Sequence, residues 1–159
     1  MQTRFLIITG MSGAGKTQVV RTLEDLKYFC IDNLPAALIP KFAELCRQTS
    51  ESNVALVVDV RGGQFFDKLL QVLDEIKASG QKYELLFLDA DDATLVRRYK
   101  ETRRRHPLGD SETLLDNLAQ ERELLAPLLE KSTYIINTTD LNSSELKNRV
   151  RELFSTDNE

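Results

Sequence analysis

The residues Gly10-Met11-Ser12-Gly13-Ala14-Gly15-Lys16-Thr17 carry a glycine, four intervening residues, then Gly-Lys-Thr, between an apolar run and a helical pattern. That spacing suits the binding of a phosphate chain. The glycines allow backbone angles that a Cβ would penalise and let loop N–H groups approach phosphate oxygens. A helix beginning near Lys16 adds the positive end of its dipole. Lys16 would reach the β- and γ-phosphates, and the Thr17 hydroxyl would ligate Mg²⁺. A glycine-rich turn before a helix is the plainer alternative, and the strand-loop-helix flanks favour phosphate.

A carboxylate at a neighbouring strand end should complete the magnesium shell. "ALVVD" ends at Asp59 and "LLFLD" at Asp89. In phosphate-binding kinase folds the third strand lies beside the first, which favours Asp59. Asp89, within "DADD", suits a strand-end cap. Asp32 in "CIDNLP" falls at the carboxyl edge of the second strand, where it would serve as base, orient water or simply cap a helix. "INTTDL" places Asn137, Thr138 and Asp140 after the last strand, and reads best as a polar turn.

The stretch "YKETRRRHPLG" raises a second chemistry. Residues 97–106 hold six Arg/Lys against one Glu, +5 in a chain of net charge −4, so the remainder carries −9. A local anion site is supported, and a chain-wide affinity for nucleic acid is not. Arg104 and Arg105 follow Arg97 and Arg98 by two helical turns and would form a lid that neutralises charge on a transferred phosphoryl group. An RNA surface would need stacking aromatics, and only Tyr99 is near. A solvated helix end is the third possibility. The lone His106 offers no metal cluster.

Five short apolar runs must position these groups: Phe5–Ile8, Phe29–Ile31, Val54–Val58, Leu85–Leu88 and Tyr134–Ile136. Helical patterns separate them. One runs from Lys16 through Leu26, one opens at Asn33 and Pro35 over Leu38, Phe42 and Leu45, and one spans Phe65 to Ile76 and closes at Gly80. Another is capped by Asp91 and stopped by Pro107. A last one is opened by the box Asn142/Glu145 and runs to Phe154. This alternation predicts an α/β fold with a parallel five-stranded sheet covered by helices on both faces.

At 159 residues, 42% apolar and 29% charged, the chain is expected to be one domain over 1–155 with a polar tail at 156–159. No apolar run is long enough to span a membrane, and the first strand follows Met1 too closely for a signal peptide. Cys30 and Cys46 form no CxxC pair and suit a reducing cytoplasm. The association of copies is left open.

Taken together, "TGMSGAGKT", "LEDLKYFCIDNLP", "VVDVRGG", "FLDADDATLVRRYKETRRRHPL" and "ERELLAPL" resemble the RapZ family of RNase adapter proteins, also called YvcJ-like nucleotide-binding proteins, over nearly the whole chain. The resemblance implies a kinase-like P-loop NTPase domain that binds ATP or GTP and hydrolyses it weakly. It makes Gly10 to Thr17 one nucleotide segment and Asp59, Val60, Arg61 and Gly62 a second. It also implies a small regulatory RNA and an endoribonuclease as partners, and sensing of an amino-sugar phosphate. Those roles belong largely to a C-terminal domain that this chain would lack. Two positions depart from the family pattern: Lys27, where Gly is expected, and Asn137, where Asp is usual. A small-molecule kinase and an RNA-binding module are the competing functional classes.

Overall fold

The computed structural model describes residues 4–32, 34–49, 53–58, 63–102 and 114–155. Five strands form one parallel sheet: β1 (Phe5–Gly10), β2 (Phe29–Asp32), β3 (Val54–Val57), β4 (Glu84–Asp89) and β5 (Tyr134–Asn137), in the order β2-β3-β1-β4-β5. Six α-helices connect or follow them: α1 (Lys16–Asp25), α2 (Ile39–Thr49), α3 (Gly63–Ala78), α4 (Asp92–Thr102), α5 (Leu114–Glu130) and α6 (Ser143–Phe154). The five expected strands are all present. The helix expected to open at Asn33 and Pro35 starts as a 3-10 turn over Ala36–Leu38 and becomes α-helical from Ile39, with Pro40 in the first turn, where its missing N–H costs nothing. Asn33 and Pro107 lie outside the described residues.

The order follows from connection handedness. The β1-to-β2 crossover runs one way along the sheet and the later crossovers run the other way. Right-handed connections therefore put α1 on one face and α2 to α5 on the opposite face. Helix α6 returns beside α1. The central strands β1 and β3 are buried along their whole length, as a sheet covered on both sides requires. The edge strands are less covered, and Phe29 and Ile135 are more than half exposed.

At the amino-terminal rim, Arg4 ties four elements together. Its guanidinium donates to the Glu84 carboxylate, to the Tyr134 hydroxyl at 3.0 Å and to the Leu153 carbonyl at 3.3 Å, and it stacks over the Phe154 ring. This network fixes the end of α6 far along the sequence from the loops at the opposite rim.

The departure at Lys27 has a conformational meaning. Lys27 follows α1 with φ of 73°, the only described non-glycine residue at positive φ. A Gly-preferring turn here carries a side chain.

Candidate phosphate site at the carboxyl rim of the sheet

Strand β1 ends at Gly10, and α1 begins at Lys16. Between them the backbone passes through positive φ at Gly10 (146°), Gly13 (85°) and Gly15 (115°). Gly10 is obligatory for a second reason: a Cβ there would lie 2.2 Å from the Leu88 carbonyl oxygen. That close approach lets the Met11 N–H donate to the same Leu88 oxygen at 3.0 Å, so β4 holds the loop at its root. At the other end Gly15 is the N-cap of α1, and a Cβ there would meet Leu146 of α6 at 3.1 Å. The Lys16 ammonium folds back over its own loop, donating to the carbonyls of Gly10 (3.0 Å) and Met11 (3.3 Å). Thr17, exposed, follows it in the first turn of α1.

Three side chains brace this loop from outside. The buried Thr138 hydroxyl, just past β5, donates to the Ala14 carbonyl at 2.8 Å. Arg98 of α4 donates to Gly13 O at 3.1 Å, Thr138 Oγ1 at 2.9 Å and Thr138 O at 2.7 Å. These bonds all go to uncharged oxygens. Burial, with the charge of Arg97 beside it, lowers the Arg98 pKa from its ordinary value. The guanidinium, with so high an ordinary value, stays charged. The third brace is Glu121 of α5. Its fully buried carboxylate accepts the Ser12 N–H at 3.1 and 3.2 Å and the Ser12 hydroxyl at 2.7 Å.

The two strand-end aspartates have different surroundings. Asp89 Oδ1 caps the turn after β4 by accepting the Ala90 N–H at 2.8 Å, and also accepts from Arg122 at 2.9 Å. Arg122 further binds Asp92 and the Ala90 carbonyl, and these carboxylates outweigh burial and raise its pKa. The capping role expected for Asp89 is what its contacts show. Strand β3 runs beside β1 as far as Val58, whose N–H donates to the Ile8 carbonyl at 2.9 Å. Asp59, Val60, Arg61 and Gly62 come next and lie outside the described residues, as do Arg103, Arg104, Arg105 and His106. Asp32 is exposed at the carboxyl end of edge strand β2.

The structure thus brings together Gly10 to Thr17, Arg98 and Thr138. It also adds Glu121 and Arg122, which motif reading had not singled out. A signal for Glu121 was present. Leu118, Leu125 and Leu128 form the buried stripe of α5, and Asn117 and Glu121 fall in that stripe four residues apart. Polar residues on a buried helical face mark a contact that needs them. The polar turn "INTTDL" is more than a turn. Asn137 Oδ1 accepts the Thr139 N–H at 3.0 Å as an Asx turn, which an Asn performs as well as an Asp, while Thr138 reaches the loop.

Comparison with known proteins agrees with this architecture. A shikimate kinase from Bacteroides thetaiotaomicron superposes with a TM-score of 0.61 at 20% identity, covering 96% of this chain and 98% of the other. The Deinococcus radiodurans tunicamycin resistance protein does so with a TM-score of 0.65 at 15% identity, covering 98% of each chain. At such identities the likeness is one of fold. In sequence, a protein named nucleotide-binding protein from Desulforamulus reducens is 52% identical over 158 residues, 98% of this chain and 53% of its own length. One of the same name from Clostridium botulinum (strain Okra / Type B1) is 50% identical over 153 residues, 95% of this chain and 52% of its own. The chain therefore spans about half the length of the curated relatives it matches. Residues 3–158 match the model of the RapZ-like N-terminal domain, and the chain belongs to that family.

Proposed function

We propose that this domain binds ATP or GTP, with Mg²⁺, as a regulatory switch that hydrolyses its nucleotide slowly. The observation that carries the reading is the loop itself. Three positive-φ glycines turn the chain onto the N-terminus of α1, and the Lys16 ammonium lies over the loop's own carbonyls. Such a nest of N–H groups beside a lysine recognises a phosphate chain. The names of the half-matching relatives support nucleotide as the phosphate carrier.

The residues present fit magnesium held jointly with phosphate. Magnesium at such sites takes one or two protein oxygens and fills its octahedron with phosphates and water. Thr17, directly after Lys16, supplies a hydroxyl. The pairing of Val58 beside β1 supports Asp59 as the nearby carboxylate. Bound magnesium would neutralise phosphate charge. Lys16 would hold the β- and γ-phosphates, and Asp59 to Gly62 would form the second nucleotide segment. Arg104 and Arg105 would supply positive charge to the phosphoryl group during turnover, so their replacement by Ala should lower hydrolysis more than affinity.

A small-molecule kinase is the second reading, favoured by one observation: Asp32 is exposed at the carboxyl end of β2, where an acceptor-side base would stand. Rapid phosphorylation of any metabolite would select it. Binding of a regulatory RNA and an endoribonuclease is proposed for longer relatives, chiefly through their remaining half. This domain alone should bind structured RNA weakly. The test of the main reading is equilibrium titration of ATP and GTP, with and without Mg²⁺. Saturable binding strengthened by magnesium supports it, and failure of both nucleotides to bind refutes it.

A further inference from the structure

Glu121 is a carboxylate removed from solvent, on the helix that follows the basic stretch in sequence, and its oxygens hold both donors of Ser12. A buried charge is costly, and an apolar side chain would fill the same space at lower cost if packing were all that mattered. Its placement in the loop gives it a task. Ser12 lies between Gly10 and Gly13, both at positive φ, where the backbone has the freedom that only glycine gives. β4 fixes the root of the loop through Met11, and Thr138 and Arg98 fix its far side through Ala14 and Gly13. Glu121 fixes the residue between them.

The next residue strengthens the case. Arg122 binds Asp89, Asp92 and the Ala90 carbonyl. Two consecutive residues of α5, of opposite charge, thus grip the loops that follow β1 and β4. This register sets where the Glu121 carboxylate meets Ser12. A carboxylate beside a polyanion site is unfavourable for the bound ligand, and the bonds to Ser12 supply a positional benefit against it. A loop held in its binding shape before the ligand arrives loses less entropy on binding.

We propose that Glu121 is a positioning residue of the phosphate loop, acting through the paired Ser12 N–H and hydroxyl to hold the loop in its nucleotide-receiving shape. The inference rests on the nucleotide-binding reading above. Glu121 touches the loop and is assigned no contact with phosphate.

The experiment measures ATP and GTP dissociation constants for wild type, Glu121→Gln, Glu121→Ala, Ser12→Ala and the double variant Ser12→Ala/Glu121→Ala. Circular dichroism of each nucleotide-free variant checks the fold. Gln keeps an acceptor and removes the charge, so it should bind within roughly threefold of wild type. Ala removes both acceptors and should weaken binding roughly tenfold. In the double variant the losses should be strongly non-additive, because Ser12 and Glu121 act as one contact. If the carboxylate only repels the nucleotide, both Gln and Ala will tighten binding, and the proposal is overturned. Additive losses, or wild-type affinity in Glu121→Ala, overturn it too. Should Glu121→Ala fail to fold, Ser12→Ala, which removes the hydroxyl donor, decides alone: weakened nucleotide binding by the folded variant supports the proposal, and wild-type affinity overturns it. Lys16→Ala serves as the control. If wild type binds through Lys16 while the Glu121 variants are indifferent, this proposal alone fails. If wild type binds no nucleotide, the reading beneath it fails and this proposal falls with it.

Discussion

Arg98 donates twice to Thr138, to its carbonyl oxygen at 2.7 Å and its hydroxyl at 2.9 Å, and a third time to the Gly13 carbonyl. One guanidinium thus joins α4, the turn after β5 and the glycine loop after β1. Replacing it by Ala would take this donor from the carbonyl and hydroxyl of buried Thr138. The cost should be about 1–3 kcal/mol of stability. Nucleotide affinity should fall further than stability predicts, since a cation near the phosphates is lost as well. Urea unfolding and nucleotide titration of Arg98→Ala measure the two separately. Wild-type affinity in a folded variant would show that the bridge is only structural.

Asp89 and Asp59 should respond differently to amidation. The Asp89 carboxylate is engaged by Arg122 and the Ala90 N–H, so Asp89→Asn should lower stability and leave the magnesium requirement unchanged. Asp59→Asn should raise the magnesium needed for turnover. Magnesium titrations of hydrolysis decide it. A larger shift for Asp89→Asn would reverse the assignment.

Lys27→Gly should stabilise the fold. At φ of 73° a Cβ meets the following carbonyl at about 1–2 kcal/mol. Glycine removes that strain but adds freedom to the unfolded chain, which takes back roughly half. A net gain of about 0.5–1 kcal/mol in chemical denaturation is expected, with nucleotide affinity unchanged. Destabilisation would mean that the Lys27 side chain contributes more than its backbone costs.

Acid should loosen the opposite rim. Burial pushes the Glu84 carboxyl up, but hydrogen bonds from Arg4 and Tyr134, with the charge of Arg4, outweigh it and hold the group below its ordinary 4.5. A carboxyl depressed in the folded state stabilises most above its unfolded value. That contribution is therefore complete above about pH 4.5 and is lost as pH falls through the lower folded value. Glu84→Gln should be less stable at neutral pH and show a shallower decline below pH 4.5 than wild type. Parallel acid limbs for the two proteins would remove Glu84 from the account.

Much of this architecture was legible in the sequence because its signals are local. Unbroken runs such as Leu85–Leu88 mark strands buried on both faces. Asn142 with Glu145 marks a helix start, and the structure shows both bonds of that capping box. The glycine loop was legible because its conformation depends on residue type. The bracing contacts were not, since they join residues distant in sequence: Ser12 with Glu121, and Gly13 and Thr138 with Arg98. Arg98 read as one member of a basic run, and only the fold separates it from its neighbours. The departure at Lys27 was visible as a mismatch to the family pattern, yet its backbone angle required coordinates.

The most direct measurement is equilibrium binding of ATP and GTP to wild type and Lys16→Ala, at fixed salt and magnesium. Lys16 lies over the loop and contributes no core packing, so its loss should leave the fold intact and remove the charge that meets the β- and γ-phosphates. The account predicts saturable binding by wild type and near-complete loss in Lys16→Ala. Equal affinity of the two proteins for both nucleotides would contradict it.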